Sequence, residues 1–377
     1  MENLCGARCG ALGTETVEVG ENFAMSEAPA PAAPVLALEQ DVSLRGLNTL
    51  GLPATAAHLA RVDSEAAVRR VVDHPRWGRA PKMILGGGSN LVFTRDPQAL
   101  VVKVEVPGIR VLDERPDAVV VEAGAGVSWH ELVVWTLDQN LPGLENMALI
   151  PGTVVAAPVH NIGAYGVELK DRFHSLVAVD LVTGRSVELN AQACRFGYRD
   201  SVFKHQDFGG LAGKSVITRV RLMLPRPWVP VLGYLDLQRR IEETGVRTPT
   251  PRQIFDWVCS IRRAKLPDPA LIGNAGSFFK NPVVSAEQCR DIIARDPGIV
   301  HCPLEDGTVK LAAGWLIDAC GWKGRSVGRA GVYEKQALVL VNRGGATGAE
   351  VLTLARAIQT SVYERFGIRL EPEPVVV

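Results

Sequence analysis

The sequence predicts an α+β protein built from more than one domain, and three observations support that class. Its 377 residues exceed the length of one ordinary domain. Of these residues, 47% are hydrophobic, which is enough for sizeable cores. Helical and strand patterns are mixed along the chain without the strict alternation that is typical of a parallel α/β sheet.

Charge and cysteine content argue against several classes of function. Forty-one basic residues balance 41 acidic ones, so no overall field would attract nucleic acid or an anionic membrane. No stretch approaches the roughly 20 apolar residues that span a bilayer, and the N-terminus lacks the features of a signal peptide. The seven cysteines form no Cys-x-x-Cys pair, which favours reduced thiols over a disulfide framework or a zinc site. We therefore expect a cytoplasmic protein with no metal, nucleic-acid partner or membrane partner.

The first 40 residues differ in composition from the rest of the chain. The run MSEAPAPAAP, which starts at Met25, has no periodic apolar face, so residues 1–40 are expected to be a disordered tail. Ordered pattern begins near Val42. After it, SEAAVRRVVDH predicts a helix capped by Ser64, and PKMILGGGSNLVF predicts a strand, a glycine turn and another strand.

The remaining elements continue the mixed pattern. AVVVEAGAGVSWHELVVWTL predicts a strand followed by a helix, and HSLVAVDLVTGRSVEL predicts a hairpin around Thr183 and Gly184. A helix is expected between Pro251 and Pro267. SAEQCRDIIAR and KLAAGWLIDACGW predict two more helices, QALVLVN predicts a buried strand, and a long final helix is closed by Gly367.

Two glycine-rich turns suggest nucleotide sites of common types that their sequences exclude. EAGAGVSWHE has Trp129 at the third glycine position of a dinucleotide fingerprint, so it is not a Rossmann site. GGGSN, at positions 86–90, lacks the Lys-Ser/Thr of a Walker A loop, and Ser89 lacks the trailing glycine of a hydrolase nucleophile elbow. Its backbone N–H groups can still bind a phosphate, although a simple tight turn explains the same residues.

Two further segments allow more than one interpretation. The small residues of IPGTVVAAPVHNIGAYG, positions 150–166, suit either a flat ligand or a packed interior loop. In CRFGYRDSVFK, Arg199 either forms a surface ion pair with Asp200 or is directed at a carboxylate or enolate.

GNAGSFFKNP, at positions 273–282, surrounds Ser277 with residues of opposite character. Glycine permits close backbone approach, and the two phenylalanines would bury a hydroxyl that needs a partner. Near the C-terminus, LEPEP is predicted to place Glu371 and Glu373 on one side of an extended strand. Alone, that segment would be a tail.

Together these motifs resemble one family. In order and spacing, NTLG at 48, LGGGSN at 85, IPG…NIGAYG, YRDSVFK, AKLPDP, GNAGSFFKNP, KLAAGWLID and LEPE resemble the UDP-N-acetylenolpyruvoylglucosamine reductases, flavoenzymes of bacterial peptidoglycan precursor synthesis. The resemblance runs from about Leu47 to Glu373. VLGYLDL, with Tyr234, is similar to the form of the family that carries an extra tyrosine loop.

The resemblance implies a fold and its division into domains. Two subdomains would bind FAD, in the architecture shared with p-cresol methylhydroxylase and vanillyl-alcohol oxidase, and a smaller α+β domain would bind substrate. By analogy the first subdomain would span 41–107 together with 368–377, the second 108–266, and the substrate domain 267–367.

The resemblance also implies the cofactors and their contacts. FAD would be bound, NADPH would donate a hydride transiently, and the chain would act as a monomer on a UDP-sugar enolpyruvyl ether. The residues implied in FAD binding are Gly86, Gly87, Gly88, Ser89, Asn90, Asn161, Gly163 and Ala164. Val155, Ala156 and His160 depart from the residues usual in the family, and Val375 stands where an arginine often contacts the cofactor.

The implied reaction is the NADPH-dependent reduction of UDP-N-acetylglucosamine enolpyruvate to UDP-N-acetylmuramate. Arg199 would face the enolate that hydride addition creates, Glu373 would steady that charge as a polar or protonated partner, and Ser277 would donate the proton. The residues implied in substrate binding are Tyr234, Lys265, Asn281 and Lys323 at the diphosphate and Gln336 near the sugar or carboxylate. By spacing alone, the two lysines are ordinary helix-end residues.

Two other functions share parts of this pattern. Oxidases of sugars and aldonolactones use the same FAD-binding architecture, but they usually carry a flavin-linking His or Cys in the loop that here reads GGGSN. A binding module that has lost catalysis would keep the phosphate loops and lose the serine, arginine and glutamate. All three are present.

Overall fold

Short strands and helices are mixed along residues 36–207 and 209–377, the ranges that the computed structural model describes. Most of the predicted tail, residues 1–35, therefore lies outside the described residues. The first strand begins at Glu39, so the predicted boundary of the tail at residue 40 is two residues too late.

The helices begin and end close to the predicted caps. In the described ranges they are α1 (Glu65–Asp73), α2 (Trp129–Asp138), α3 (Ala156–His160), α4 (Ala191–Cys194), α5 (Leu235–Thr244), α6 (Pro251–Lys265), α7 (Ala286–Arg295), α8 (Ala313–Ala319) and α9 (Gly348–Phe366). None of them is long and apolar enough to cross a membrane.

The strands of the same ranges are mostly short. They are β1 (Glu39–Ser43), β2 (Thr55–Val62), β3 (Lys82–Leu85), β4 (Leu91–Val92), β5 (Leu100–Val104), β6 (Ile109–Glu114), β7 (Ala118–Gly124), β8 (Gly163–Ala164), β9 (Val167–Glu168), β10 (Phe173–Asp180), β11 (Ser186–Asn190), β12 (Ser215–Pro225), β13 (Asn274–Ser277), β14 (Val283–Val284), β15 (His301–Pro303), β16 (Val309–Leu311), β17 (Ser326–Val327), β18 (Ala330–Val332), β19 (Val339–Asn342) and β20 (Val375–Val376).

Local signals explain where several helices begin and end. Ser64 accepts a hydrogen bond from the Ala67 amide at the start of α1, as predicted. At the end of α9, Gly367 adopts a φ of 68°, a left-handed conformation that glycine tolerates well. The helix predicted from KLAAGWLIDACGW begins later than its sequence pattern, because Lys310 and Leu311 belong to β16.

Three larger sheets organise the described residues. The first has the order β1-β2-β5-β3, in which β2, β5 and β3 run parallel. The second, β11-β10-β12-β7-β6, is antiparallel and contains the predicted hairpin of β10 and β11. The third, β13-β19-β18-β17, is also antiparallel.

The first sheet lies between two hydrophobic cores. Along β5, Leu100, Val102 and Val104 belong to one core, whereas Val101 belongs to the other. Burial on both faces is typical of parallel strands. The C-terminus returns to this region, because β20 pairs in parallel with β4 directly after the glycine turn.

Residues 36–377 form one compact unit, so the predicted subdomain boundaries stay a prediction.

Candidate active site

A cleft of about 870 Å³ opens beside the GGGSN turn. Its walls come from residues 86–91, from α3, from residues 203–206 and from the C-terminal segment around Glu373. Segments far apart in sequence therefore meet here, and several of them carry motifs that the sequence singled out.

The glycines of the GGGSN turn allow it to lie directly on neighbouring backbone. A Cβ atom on Gly87 would come within 2.7 Å of the Gly152 Cα, and one on Gly88 would come within 2.0 Å of the Leu47 carbonyl oxygen. Gly88 also has a φ of 64°. Any larger residue at these positions would move the turn away from the wall of the cleft.

The NTLG motif connects that turn to the GNAGSFFKNP motif. The Thr49 amide donates to the Gly88 carbonyl at 3.1 Å. The Thr49 hydroxyl donates to the Asn274 carbonyl at 2.7 Å, and the Asn274 amide donates back to the Thr49 carbonyl at 3.0 Å. The two motifs thus fix the glycine turn relative to β13.

Arg199 and Glu373 form an ion pair next to the cleft. The Arg199 Nε atom lies 3.5 Å from the Glu373 Oε1 atom, and both side chains are largely buried. The guanidinium also donates to the Gly163 carbonyl at 2.9 Å. The alternative in which Arg199 pairs with Asp200 is wrong, since Asp200 pairs with His205 instead.

Burial and nearby charges act in opposite directions on the carboxyl group of Glu373. Burial raises its pKa above the usual range, and the positive charges of Arg199, Lys204 and Lys280 oppose that rise. Its backbone is fixed by two contacts. The Glu373 amide donates to the Phe278 carbonyl at 2.9 Å, and the Asn90 side chain donates to the Glu373 carbonyl at 3.1 Å.

Ser277 lies one residue before Phe278, the residue whose carbonyl accepts the Glu373 amide. Its side chain is exposed, and the prediction that phenylalanines surround its hydroxyl is wrong. Phe278 and Phe279 are 1% and 0% exposed, because both rings pack within a hydrophobic core. A register shift in the pairing of β13 with β19, between Asn274 and Ser277, accompanies this exposure.

The predicted cofactor residues of the NIGAYG stretch lie outside the lining of the cleft. The fully buried Asn161 side chain donates to Glu168 and to the Gly197 carbonyl, at 3.0 and 2.8 Å. Gly163 and Ala164 form the short strand β8. In this structure the carbonyls of Asn161 and Gly163 accept hydrogen bonds from the Arg199 guanidinium. The segment therefore positions Arg199 and does not form the wall of the cleft.

Two of the predicted substrate residues lie near the start of α5. The Lys265 ammonium bonds to both carboxylate oxygens of Asp236, at 2.6 and 2.7 Å. Tyr234, 47% exposed, packs edge-on against Tyr165 with ring centroids 5.0 Å apart. The helix-end interpretation of Lys265 is incomplete, because an acidic partner from another helix fixes its position.

The other three predicted substrate residues have local roles. Asn281 accepts the Ala313 amide at 2.9 Å, at the start of α8. Lys323 pairs with Asp318 at 3.1 Å on the surface. The side-chain oxygen of Gln336 accepts the Leu338 amide at 3.3 Å.

Sequence reasoning missed several polar residues that line the cleft. Lys82 and Lys204 belong to this set, and burial lowers the pKa of both ammonium groups. His160 lies beside Asn90, with 3.3 Å between the His160 Nδ1 and Asn90 Nδ2 atoms. Lys280 pairs with Glu371. Position within YRDSVFK and SFFKNP was a signal for Lys204 and Lys280, but no local pattern shows that lysines so far apart share one cleft.

The cleft suits the diphosphate of a dinucleotide. In the described ranges, the Lys82 ammonium bonds to the carbonyls of Gly78 and Ala80, and the Lys204 ammonium bonds to the carbonyl of Arg199. Neither ammonium has a carboxylate within ion-pair distance in those ranges, although Asp200, Glu371 and Glu373 also line the cleft. Together with the closely packed glycine turn, the Lys82 ammonium fits an anionic ligand such as FAD.

Comparison with known proteins assigns the class first. Residues 56–190 match the model of an FAD binding domain, so the chain is a flavin-binding protein. This match confirms the predicted cofactor, and the mixed sheets confirm the α+β class.

The family follows from the rest of the chain. Residues 268–377 match the model of the UDP-N-acetylenolpyruvoylglucosamine reductase C-terminal domain. The reductase of that name from Burkholderia vietnamiensis (strain G4 / LMG 22486) is 56% identical over 342 residues, covering 90% of this chain and 97% of the relative. The one from Azoarcus sp. (strain BH72) is 54% identical over 349 residues, covering 92% and 99%. The chain belongs to the UDP-N-acetylenolpyruvoylglucosamine reductase family.

A solved structure extends the likeness to the fold. The crystal structure of UDP-N-acetylenolpyruvylglucosamine reductase from Thermus caldophilus superposes with a TM-score of 0.61 at 25% identity, covering 90% of this chain and 99% of that one. The predicted family and overall architecture are therefore confirmed.

Proposed function

We propose that this protein reduces the enolpyruvyl ether of UDP-N-acetylglucosamine with NADPH, forming UDP-N-acetylmuramate for peptidoglycan synthesis. Membership of the reductase family supports the substrate. The largely buried Arg199–Glu373 pair beside the cleft is the structural observation that carries the proposal. Bound FAD supplies the redox chemistry, as carrier of a hydride from NADPH to the enol double bond.

Arg199 provides the electrostatic part of this chemistry. Hydride addition at the terminal carbon of the enolpyruvyl group leaves negative charge on the adjacent carbon and its carboxylate. A fixed guanidinium opposite that charge stabilises the transition state without reorganising. Its hydrogen bond to the Gly163 carbonyl and its contact with Glu373 fix the direction of the Arg199 side chain.

Glu373 is the partner of that guanidinium. Because burial raises its pKa, the carboxyl group holds its proton to a higher pH than an exposed glutamate does. A protonated Glu373 leaves the positive charge of Arg199 free to face the developing enolate.

Ser277 is the proposed proton donor to the resulting carbanion. It follows Gly276, whose φ of 66° is a left-handed conformation, and it is adjacent to the Phe278–Glu373 backbone contact. Its hydroxyl is exposed here, so bound substrate has to exclude water from it before general acid catalysis is efficient.

The binding residues follow the same division. Residues 86–90, with Lys82, would hold the diphosphate of FAD. Asn161, Gly163 and Ala164 would contribute on the flavin side, where the carbonyls of Asn161 and Gly163 hold Arg199. The proposed substrate contacts are Tyr234, Lys265, Asn281, Lys323 and Gln336. The seven unpatterned cysteines favour a reducing compartment such as the cytoplasm. The monomeric state is proposed from the family resemblance alone.

The visible spectrum of the purified protein tests this function. We expect an oxidised-flavin spectrum that anaerobic NADPH bleaches and that the enolpyruvyl sugar nucleotide restores, with UDP-N-acetylmuramate as product. A protein that stays colourless after incubation with FAD would contradict the reductase assignment. Bleaching by a simple sugar and restoration by oxygen, with no restoration by the enolpyruvyl nucleotide, would favour an oxidase instead.

A further inference from the structure

The backbone at Arg199 has an unusual conformation. Its φ is 54°, in the left-handed region that residues with a Cβ atom rarely adopt. Gly197 and Asp200 bracket it in a tight turn, with reciprocal amide-to-carbonyl bonds of 3.0 and 3.2 Å. This turn directs the guanidinium toward Gly163 and Glu373. A strained conformation of this kind persists only where the surroundings fix it.

Lys204 supplies such a contact from inside the same segment. Its ammonium donates to the Arg199 carbonyl at 2.6 Å, a short charge-assisted hydrogen bond. Ser201 fixes the intervening turn, because its hydroxyl donates to the Val159 carbonyl at 2.8 Å and accepts the Phe203 amide at 3.3 Å. The six residues from Arg199 to Lys204 thus form a closed turn, in which the Lys204 side chain bonds to the Arg199 carbonyl.

The charges around Lys204 argue that this bond is its main interaction. In the described ranges no carboxylate lies within ion-pair distance of its ammonium, although Asp200, Glu371 and Glu373 act on it from farther away. Lys280, which also faces it, is repulsive. Burying an ammonium without an ion-pair partner is costly, so a functional gain is expected to offset that cost.

We propose that Lys204 is a positioning residue for substrate reduction, whose ammonium holds the left-handed backbone of Arg199 and so aligns the guanidinium with Glu373. The proposal rests on the reductase function proposed above. In this role Lys204 affects the rate of substrate reduction by positioning Arg199. A lysine that only attracted the diphosphate of the cofactor would act on FAD affinity instead.

The test compares Lys204→Met with a double variant. We expect Lys204→Met to bind FAD within about twofold of wild type, as measured by quenching of flavin fluorescence. Recovery of flavin absorbance on mixing with the enolpyruvyl nucleotide should slow by roughly tenfold to a hundredfold, the usual effect of losing a hydrogen bond to a charged group. In an Arg199→Ala background, Lys204→Met should slow recovery by less than about twofold further, since coupled residues are not additive.

Three further variants complete the experiment. Lys204→Arg, which can still donate to the carbonyl, should recover most of the lost rate. Lys204→Gln, a smaller change in case methionine prevents folding, should fall between wild type and Lys204→Met. Lys214 is a matched control, because its ammonium also donates to backbone carbonyls, those of Gln206 and Gly210, at 2.8 and 3.1 Å. Lys214→Met should leave the recovery rate unchanged.

The outcomes separate this proposal from the proposed function. Additive losses in the double variant, or a loss confined to FAD affinity, would overturn the role of Lys204 while wild type remains an active reductase. A wild-type protein that binds FAD but does not reduce the nucleotide would overturn the reductase function and this role together.

Discussion

The Arg199 Nε atom lies 3.5 Å from the Glu373 Oε1 atom, although 174 residues separate the two along the chain (373 − 199). The pair joins the turn after α4 to the C-terminal segment at the side of the cleft. The position of Glu373 beside Arg199 therefore depends on packing between segments that are distant in sequence.

Arg199→Ala should slow reduction of the enolpyruvyl nucleotide far more than the loss of a surface ion pair would. Removing a preorganised charge from a largely buried site costs ~3–4 kcal/mol of transition-state stabilisation, a factor of roughly several hundred in rate. Stopped-flow absorbance of the flavin measures this step. Arg115, paired with Asp113 and about half exposed, is the control, and Arg115→Ala should cost under ~1 kcal/mol. Wild-type turnover in Arg199→Ala would show that YRDS is only a turn.

Ser277→Ala should separate the two halves of the reaction. FAD binding and bleaching by NADPH should be nearly unchanged, because the hydroxyl has no hydrogen bond that holds the fold within the described ranges. Recovery by the enolpyruvyl nucleotide should slow by ~10²–10⁴-fold, as expected for loss of a general acid. Ser277→Cys keeps a proton donor and should retain more activity. Equal recovery rates in wild type and Ser277→Ala would refute the proton-donor role.

Some features of this structure could be predicted because the signal lies within a few residues. Ser64 and Gly367 mark helix ends, because a cap depends on the local backbone. The glycines at residues 86–88 predict a close backbone contact but do not show which segment makes it. The exposure of Ser277 could not be predicted in this way. It depends on a core, assembled from distant strands and helices, that takes up Phe278 and Phe279.

The partners of charged residues were equally beyond the sequence pattern. The Asp236 side chain reaches Lys265 from a helix that begins 30 residues earlier (265 − 235). Lys204 bonds to a carbonyl whose position depends on a strained φ. Helix propensity and residue spacing do not predict such contacts, because the contacts form when segments distant in sequence pack together.

Lys265→Met should weaken substrate binding with little effect on the chemical step. Its ammonium is fixed by Asp236 rather than by the Arg199–Glu373 pair, so it would hold the diphosphate equally in the ground and transition states. We expect KM for the nucleotide to rise roughly tenfold to a hundredfold with kcat within about threefold. Lys170, paired with Glu168 at 3.2 Å and 47% exposed, is the matched control. An unchanged KM in Lys265→Met would show that the lysine pairs with Asp236 and does not bind the substrate.

His160 should make the folded protein sensitive to acid. Burial, with the nearby positive charges of Lys204, Arg199 and Lys280, lowers its pKa to about 3, whereas an unfolded histidine titrates near 6.5. Between these values the unfolded chain binds a proton that the folded chain does not, so this contribution to stability is present above about pH 6.5 and is lost as the pH falls toward 3. The slope for one group is about 1.4 kcal/mol per pH unit.

His160→Gln keeps a polar amide beside Asn90 but does not titrate. In urea unfolding of FAD-free protein between pH 7.5 and about 4, the free energy of unfolding of wild type should therefore fall below that of His160→Gln progressively with acidification, all other groups being shared. Parallel curves for the two proteins over this range would show that the imidazole becomes protonated within the folded state and that the cleft opens to accommodate its charge.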